Sequence, residues 1–333
     1  MHGLIENLII MVFSLLLLLI SSDIAIKYIV KMSELTGLGK SRIGFTFVAA
    51  TTTLPELMVA IFSGISGEAA ISVGNVLGSN VANVCLVIGL GLILYNFKKS
   101  RKASVPVKLK SDELDVLYFG IFTASIIPIL LISFVPASRI VGLILIIIYV
   151  YQSYKIISKK EIVLDKLSDE NVVKRNIQGK KVLINSLILS LLGIIGVIIS
   201  ARLIVDSTVE ISNLIGVPSF LISAIVIAVG TSFPEITLGI RAMLEEHGEL
   251  TIGNIIGSCF TNITLILGVT LAFSPVALNI RGFTDIIAFS LLANILLWYF
   301  LHRGRLGWKE GFYLVLLYSL FLASIMGLLV FPE

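Results

Sequence analysis

Long apolar stretches separated by short polar segments make up most of the chain. Each stretch is close to the ~20 residues that a helix needs to cross the hydrocarbon core of a bilayer. Charged residues, or Gly and Pro, mark the ends of these stretches, so the pattern predicts ten membrane-spanning helices. The predicted spans are Leu4–Val30, Ile43–Phe62, Ile71–Leu94, Asp115–Phe134, Ile140–Ile157, Val182–Val205, Phe220–Ala242, Leu250–Phe273, Asp285–Leu301 and Glu310–Phe331.

Composition points to the same class. Of the 333 residues, 57% are hydrophobic and 14% are charged, whereas an average soluble domain has about 45–50% apolar and about 25% charged residues. The mean hydropathy is +1.03, which leaves too little polar surface for a soluble globule and excludes a soluble enzyme. The two cysteines, Cys85 and Cys259, lie inside apolar runs and are predicted to be packing residues, with no disulfide framework or metal cluster.

The basic residues predict the orientation of the spans. All but three of the 25 Lys and Arg residues fall in alternate connections, and the exceptions are Arg139, Arg202 and Arg281. Basic residues accumulate on the cytoplasmic side of membrane proteins. We therefore predict a multi-pass cell-membrane protein with both termini extracellular. A charged cytoplasmic linker, 159–181, separates an N-terminal five-helix half, 1–158, from a C-terminal half, 182–333.

The two halves contain a repeat. Sliding the chain by 179 residues superposes 49–89 on 228–268 without a gap, and twelve of the 41 positions are identical. The identities include nearly every polar residue buried in these spans. Five predicted crossings separate equivalent points, and because five is odd, the second copy runs through the membrane in the opposite sense. Inverted repeats of this kind are typical of secondary transporters, whose site lies near the midplane between the copies.

The first element of each copy ends in Pro-Glu. In the first copy, Thr52, Thr53 and Glu56 are three and four residues apart and share one helix face, and Thr231, Ser232 and Glu235 repeat the arrangement. Proline removes a backbone donor and disfavours helical geometry before it. The carbonyls of the preceding turn, near Ala49 and Ala228, are therefore expected to lose their intrahelical partners and, with the hydroxyls and carboxylate, to offer hard oxygen ligands.

The second element carries amides and small residues. Asn75, Ser79 and Asn83 follow one another at intervals of four residues on a single helix face. The second copy has the same Gly-Asn-x-x-Gly-Ser-x-x-x-Asn pattern, which ends in Ser258 and Asn262. Glycines at these positions let another backbone approach closely. This element is therefore expected to add amide and hydroxyl oxygens to the same cavity.

The acidic residues differ in what they imply. Glu56 and Glu235 are placed at mid-membrane depth, where a carboxylate costs about 2.5–3.5 kcal/mol on insertion scales, and no Lys or Arg is placed near them. We interpret this pair as functional. The remaining acids and histidines in or near spans are expected to be solvated or interfacial: Asp23, Asp115, Asp206, Asp285, His247 and His302.

The paired motifs resemble the two α-repeats of the cation/Ca²⁺ antiporter superfamily, most closely its prokaryotic sodium/calcium exchanger branch. The resemblance extends over the full length and implies an all-α polytopic membrane protein, with ten transmembrane helices as two inverted five-helix repeats. It implies a set of metal-binding residues, with no catalytic and no cofactor-binding residues. That set is Ala49, Thr52, Thr53, Glu56, Ser79, Asn83, Ala228, Thr231, Ser232, Glu235, Ser258 and Asn262.

The resemblance implies a secondary active antiporter that exchanges Na⁺ for Ca²⁺ by alternating access, with the first and sixth spans sliding across the core. Transported Ca²⁺ and Na⁺ and the lipid bilayer are the expected partners, without nucleic acid or cofactor, and a monomer is compatible with the sequence. Two features depart from the family pattern. Thr51-Thr52-Thr53 replaces Gly-Thr-Ser and adds methyl groups beside the site, and Asn262 replaces the Asp of some relatives, which argues against the potassium-dependent branch.

Other functions stay open at this point. In H⁺/Ca²⁺ exchange, protons in place of Na⁺ would neutralise the two glutamates, although the hydroxyls before each Pro-Glu favour sodium, since a proton needs no oxygen cage. An intramembrane hydrolase would need a nucleophile and a base, and no His lies within a predicted span. A scaffold without transport activity would not need two buried acids in inverted copies.

Overall fold

The computed structural model describes residues 2–35, 52–99, 111–133, 139–164, 177–275, 280–304 and 306–327. Helices are the regular structure throughout these ranges. Those of the first half are α1 (His2–Leu35), α2 (Leu54–Ile65), α3 (Ala69–Ala82), a π-helical turn π1 (Asn83–Ile88), α4 (Gly89–Lys99), α5 (Ser111–Ser133) and α6 (Arg139–Leu164).

The second half repeats this order. Its elements are α7 (Ile177–Ile215), α8 (Ser219–Ile222), π2 (Ser223–Ile227), α9 (Ala228–Thr231), α10 (Phe233–Leu244), α11 (Gly248–Thr261), π3 (Asn262–Ile266), α12 (Leu267–Phe273), α13 (Ile280–His302) and α14 (Trp308–Ile325). The π turns π1 and π3 begin at Asn83 and Asn262, which are equivalent positions of the repeat.

Every predicted span overlaps a described helix, although the start of the second span lies outside the described residues. Within the described ranges, six helical stretches are long and apolar enough to cross a membrane, and a bent pair, Ser219–Thr231 with Phe233–Leu244, makes a seventh. The protein is therefore an all-helical membrane protein, and the count of ten spans stays a prediction. Helices α6 and α7 also extend into the predicted linker, of which 165–176 lie outside the described residues.

The two longest helices, α1 and α7, pack side by side. Small residues allow the close approach: a Cβ added at Gly193 would lie 2.7 Å from the Ala25 nitrogen, and one at Gly196 would meet the Ser21 side chain. Their outer faces are apolar and exposed, with Ile9 63% and Phe13 60% exposed. Lipid is the solvent that such a surface requires.

The centre of the molecule is formed by α3–π1–α4 of the first half and α11–π3–α12 of the second. Among the membrane-length stretches these two are the most buried. Helix α3 presses against the start of the seventh predicted span, where a Cβ added at Gly74 would lie 2.3 Å from the Phe220 oxygen. Two elements that are far apart in sequence thus come into backbone contact, as the glycines of the first copy predict, whereas a Cβ added at Gly253 or Gly257 of the second copy would meet no described atom within 4 Å.

Candidate functional site

The predicted site residues come together in the interior of the molecule. Ala49 lies outside the described residues. The other eleven are all buried, and Ser258 is the most accessible at 6%. They come from three places: the broken helices α2 and α9–α10, the ends of α3 and α11, and the π turns that follow those ends.

Each predicted Pro-Glu motif begins a new helix. Thr53 and Ser232 interrupt the helical run with near-zero ψ angles (φ −88°, ψ 3° and φ −82°, ψ 5°), and proline follows at the second helical position. The interruption bends the second copy by 49°. Glu56 and Glu235 consequently stand in the first turns of α2 and α10. A helix N-terminus carries partial positive charge, which favours a carboxylate there.

The two carboxyl groups reach across the repeat interface. The Glu56 carboxyl lies near the hydroxyls of Thr231 and Ser232 and near Glu235. Glu235 in turn faces the hydroxyl of Thr52. Each acid therefore meets hydroxyls from the other copy, so the two motifs form one cluster at the interface.

The Ala228 carbonyl corrects one expectation. It keeps its intrahelical partner, because the Ser232 amide donates to it at 3.1 Å, and the Ser79 hydroxyl donates to it as well at 3.3 Å. Pro234 removes the donor for the carbonyl four residues earlier, which belongs to Gly230 and not to Ala228. Ala228 therefore lies in the cluster as a helical carbonyl that Ser79 of the first copy already contacts.

The cluster contains buried oxygens without a hydrogen-bond partner in the described part of the chain. They are Glu56 Oε2, Asn83 Oδ1, Ser232 Oγ, Glu235 Oε2 and Asn262 Oδ1. Leaving a buried acceptor unpaired costs about 1–3 kcal/mol, and more for a charged group. Carboxylate, amide and hydroxyl oxygens together are the donor set of hard cations such as Ca²⁺. The cluster therefore has the chemistry of a cation site.

Positive charge is placed elsewhere. The ion pairs found among the described residues are Lys99–Glu246, Arg202–Asp206 and Arg241–Glu245, all with exposed side chains. The described part of the chain contains no group of three or more His, Cys, Asp and Glu side chains that could hold a metal. A cation in the cluster would therefore depend on two carboxylates and on neutral oxygens.

Two asparagines join the cluster without having been predicted as ligands. The Thr231 hydroxyl donates to Asn75 Oδ1 at 3.1 Å, and Asn262 Nδ2 donates to Asn80 Oδ1 at 3.1 Å. The spacing of the motif drew attention to Asn75. The sequence carries no such signal for Asn80, because its repeat equivalent is Cys259 and the two copies therefore differ at this position.

The acids and histidines that the sequence sets apart from the cluster lie at the surface of the described structure. Asp23, Asp115, Asp206, Asp285, His247 and His302 are all exposed. Asp206 pairs with Arg202 one helical turn away at 2.9 Å. Cys85 and Cys259 are buried free thiols, which agrees with the predicted packing role.

Comparison with known proteins decides the family. The profile described as "Sodium/calcium exchanger protein" matches residues 6–157 and 185–327, which include both motif pairs. The chain belongs to the sodium/calcium exchanger family. This confirms the resemblance drawn from the repeated motifs. The family consists of membrane antiporters for sodium and calcium and not of enzymes, so cation/Ca²⁺ exchange is the activity class that membership supports.

Relatives span nearly the whole chain. The sodium/calcium exchanger MaX1 of Methanosarcina acetivorans is 27% identical, over 95% of this chain and 97% of its own length. The inner membrane protein YrbG of Escherichia coli is 24% identical, over 86% of each. The fold matches that of the sodium-calcium exchanger NCX_Mj with a TM-score of 0.64 at 24% identity, covering 95% of this chain and 98% of that one.

Proposed function

We propose that the chain exchanges Na⁺ for Ca²⁺ by alternating access, with the cation held between the two inverted copies. The binding residues are the buried cluster together with Ala49. The observation that carries the proposal is the burial of Glu56 and Glu235 near hydroxyls of the opposite copy, amid buried oxygens that lack hydrogen-bond partners among the described residues. A packing role would not place two acids and several unpaired acceptors together away from water.

Charge balance explains why the ions would be exchanged. The two carboxylates give an empty cluster a charge of about −2, and moving that charge past an apolar gate is costly. One Ca²⁺ cancels it, as do two Na⁺, and a third Na⁺ on neutral oxygens leaves a charge of +1. Only a loaded cluster reorients easily, so the two cations compete for one site and move in opposite directions.

The neutral oxygens favour sodium over protons as the coupling ion. Protons would bind the two carboxylates alone and leave the Ser232 hydroxyl and the Asn83 and Asn262 amide oxygens without a role. Na⁺ needs several oxygen ligands at once, which such a cluster can provide. H⁺/Ca²⁺ exchange is the alternative that the transport experiment distinguishes.

The moving part is proposed to be the pair α1 and α7. These helices pack closely on each other through glycines, and Leu18 and Val197 share one apolar cluster with Val59 of α2. An apolar contact of this kind has no polar bonds to break when it slides. The pair could therefore shift across the broken helices and expose the cluster to either side.

Two contacts support the predicted ten-span topology. Lys99 at the end of α4 pairs with Glu246 in the turn between α10 and α11, and both belong to connections predicted to be cytoplasmic. The Arg202 guanidinium lies 5.9 Å from the centre of the Phe62 ring, and both residues are predicted to lie at the extracellular side of the membrane. Each contact joins residues from the same predicted side of the membrane.

Transport into liposomes tests the proposal. Purified protein is reconstituted with Na⁺ inside, and ⁴⁵Ca²⁺ uptake is followed in a sodium-free bath. We expect uptake that collapses when the Na⁺ gradient is removed. With three Na⁺ leaving per Ca²⁺, an inside-positive potential set by K⁺ and valinomycin should accelerate uptake, with ~2.3 kcal/mol of driving force per charge per 100 mV. Uptake driven only by a pH gradient would establish the H⁺ alternative instead.

The glutamates are tested in the same assay. Glu56→Gln and Glu235→Gln should each reduce exchange by at least about 100-fold. Either change removes one carboxylate from the cluster and leaves the charge of the bound cation uncompensated, which costs about 3 kcal/mol or more. Glu210→Gln, at an exposed acid on α7, is the matched control and should transport normally. Substantial exchange in either glutamate variant that elutes as a monodisperse protein would contradict the site.

A further inference from the structure

Helices α3 and α11 meet at Asn80 and Cys259, which occupy equivalent places in the two copies. At each, the backbone carbonyl accepts the amide of the residue three positions later, Asn83 or Asn262, where the π turn begins. Each carbonyl is also contacted by the opposite side chain, with Asn80 Nδ2 at 3.5 Å from the Cys259 oxygen and Cys259 Sγ at 3.9 Å from the Asn80 oxygen. The contact is thus nearly two-fold symmetric.

Asn80 breaks this symmetry. Its side-chain amide has an oxygen as well as the NH₂ group, and this oxygen, Asn80 Oδ1, accepts a hydrogen bond from Asn262 Nδ2 at 3.1 Å. A cysteine thiol has no comparable second group, so Cys259 cannot hold Asn83 in the same way. The second copy therefore has one amide held by the first copy, and the first copy has no counterpart of that contact from position 259.

The orientation of the two amides follows from a relay of donors and acceptors. The Cys259 carbonyl is an acceptor, so the NH₂ end of Asn80 faces it and the oxygen end of Asn80 faces away. That oxygen attracts the NH₂ end of Asn262. The Asn262 oxygen must then point in the opposite direction, where it is buried without a partner.

We propose that Asn80 is a positioning residue that holds the Asn262 amide with its oxygen toward the cation cluster. The proposal rests on the proposed function, since it concerns how that cluster is prepared for a cation. Asn80 itself contributes no ligand. The site is therefore asymmetric. The Asn262 amide of the second copy is fixed before a cation binds, whereas Cys259, the equivalent of Asn80, does not fix the Asn83 amide of the first copy.

Equilibrium ⁴⁵Ca²⁺ binding to the purified full chain in detergent tests this, with Na⁺ as competitor. Asn80→Cys places in the first copy the residue that the second copy uses. We expect Ca²⁺ affinity to fall about fivefold to tenfold, which corresponds to the loss of one hydrogen bond. Asn80→Ser is a second variant in case the first does not fold. Cys259→Ser alters the same crossing without affecting Asn262 and is the matched control, expected to stay within about twofold of the unaltered protein.

Epistasis separates positioning from a general packing effect. If Asn80 acts through Asn262, then Asn80→Cys should have no further effect on Ca²⁺ affinity in an Asn262→Ala background. The double exchange Asn80→Cys with Cys259→Asn should restore part of the affinity and transfer the dependence to Asn83. A packing defect would produce neither result.

The proposal is overturned if well-folded Asn80→Cys protein binds Ca²⁺ with unaltered affinity, or if the losses from Asn80→Cys and Asn262→Ala simply multiply. Failure of the proposed function would look different. The unaltered protein would then show no Na⁺-driven Ca²⁺ uptake, or the Glu56→Gln variant would transport as well as the unaltered protein. Direct Ca²⁺ binding does not depend on the coupling ion. The Asn80 test therefore gives an answer whether Na⁺ or H⁺ drives exchange.

Discussion

The two copies of the repeat carry the same motif residues but have different surroundings. In the first copy, Asn75 is fully buried and accepts a bond from Thr231, whereas its equivalent Asn254 is only partly buried. Ser79 and Asn80 likewise bond to Ala228 and Asn262 of the second copy. Helix α3 therefore organises residues of the other copy. At the crossing of α3 and α11 the hydrogen bonding is not symmetric, because position 80 carries an amide and its equivalent, position 259, carries a thiol.

The largest effect is expected where the first copy presses on the backbone of the second. A Cβ added at Gly78 would lie 2.2 Å from the Ala224 oxygen and 2.7 Å from its Cα, and backbone cannot move aside as a flexible side chain could. Gly78→Ala should destabilise the protein by about 1–3 kcal/mol or more, as overpacking does. The loss would appear as a lower melting temperature in detergent.

The control for this comparison is Gly3→Ala, because a Cβ at Gly3 on α1 would meet only the Leu214 side chain at 4.0 Å. It should melt like the unaltered protein. A Gly78→Ala protein of unchanged stability would mean that the two copies can separate at this contact without cost. That result would remove the physical basis for treating α3 as the organiser.

An intermediate effect is expected from the two equivalent asparagines. Asn75→Ala removes the acceptor of the Thr231 hydroxyl, so Thr231 can reorient, and Ca²⁺ affinity should fall about fivefold through the loss of one buried hydrogen bond. Asn254→Ala, at the partly buried equivalent, should reduce the affinity less, by about twofold. Equilibrium ⁴⁵Ca²⁺ binding measures both. Equal losses in the two variants would show that the copies contribute alike and would break the comparison.

The smallest effect is expected at the surface. Lys99 and Glu246 also join the copies, but their side chains are 47% and 43% exposed. Exposed ion pairs contribute about 0–1 kcal/mol and are weakened by salt. Lys99→Ala should therefore shift the melting temperature little and leave transport unchanged. A large loss of transport with normal stability would indicate that this contact takes part in the conformational change.

The sequence allowed much of the site to be predicted. Carboxylates such as Glu56 are rare in apolar spans, and the repeat alone pairs Glu56 with Glu235. The helix breaks at Thr53 and Ser232 followed from the proline two residues later. The prediction that the Ala228 carbonyl loses its intrahelical partner was wrong, because in the folded chain the Ser232 amide still donates a hydrogen bond to it.

What the sequence determined by itself was local or periodic: helical structure, burial in a membrane, the repeat, and the residue types that a cation needs. These follow from composition and spacing, which act over a few turns of helix. The tertiary structure alone decided which hydroxyls face which acid and that Asn80 holds Asn262, residues 182 positions apart. Such pairings depend on how two helices cross, and a crossing is fixed by the packing of the whole interior and not by either segment alone.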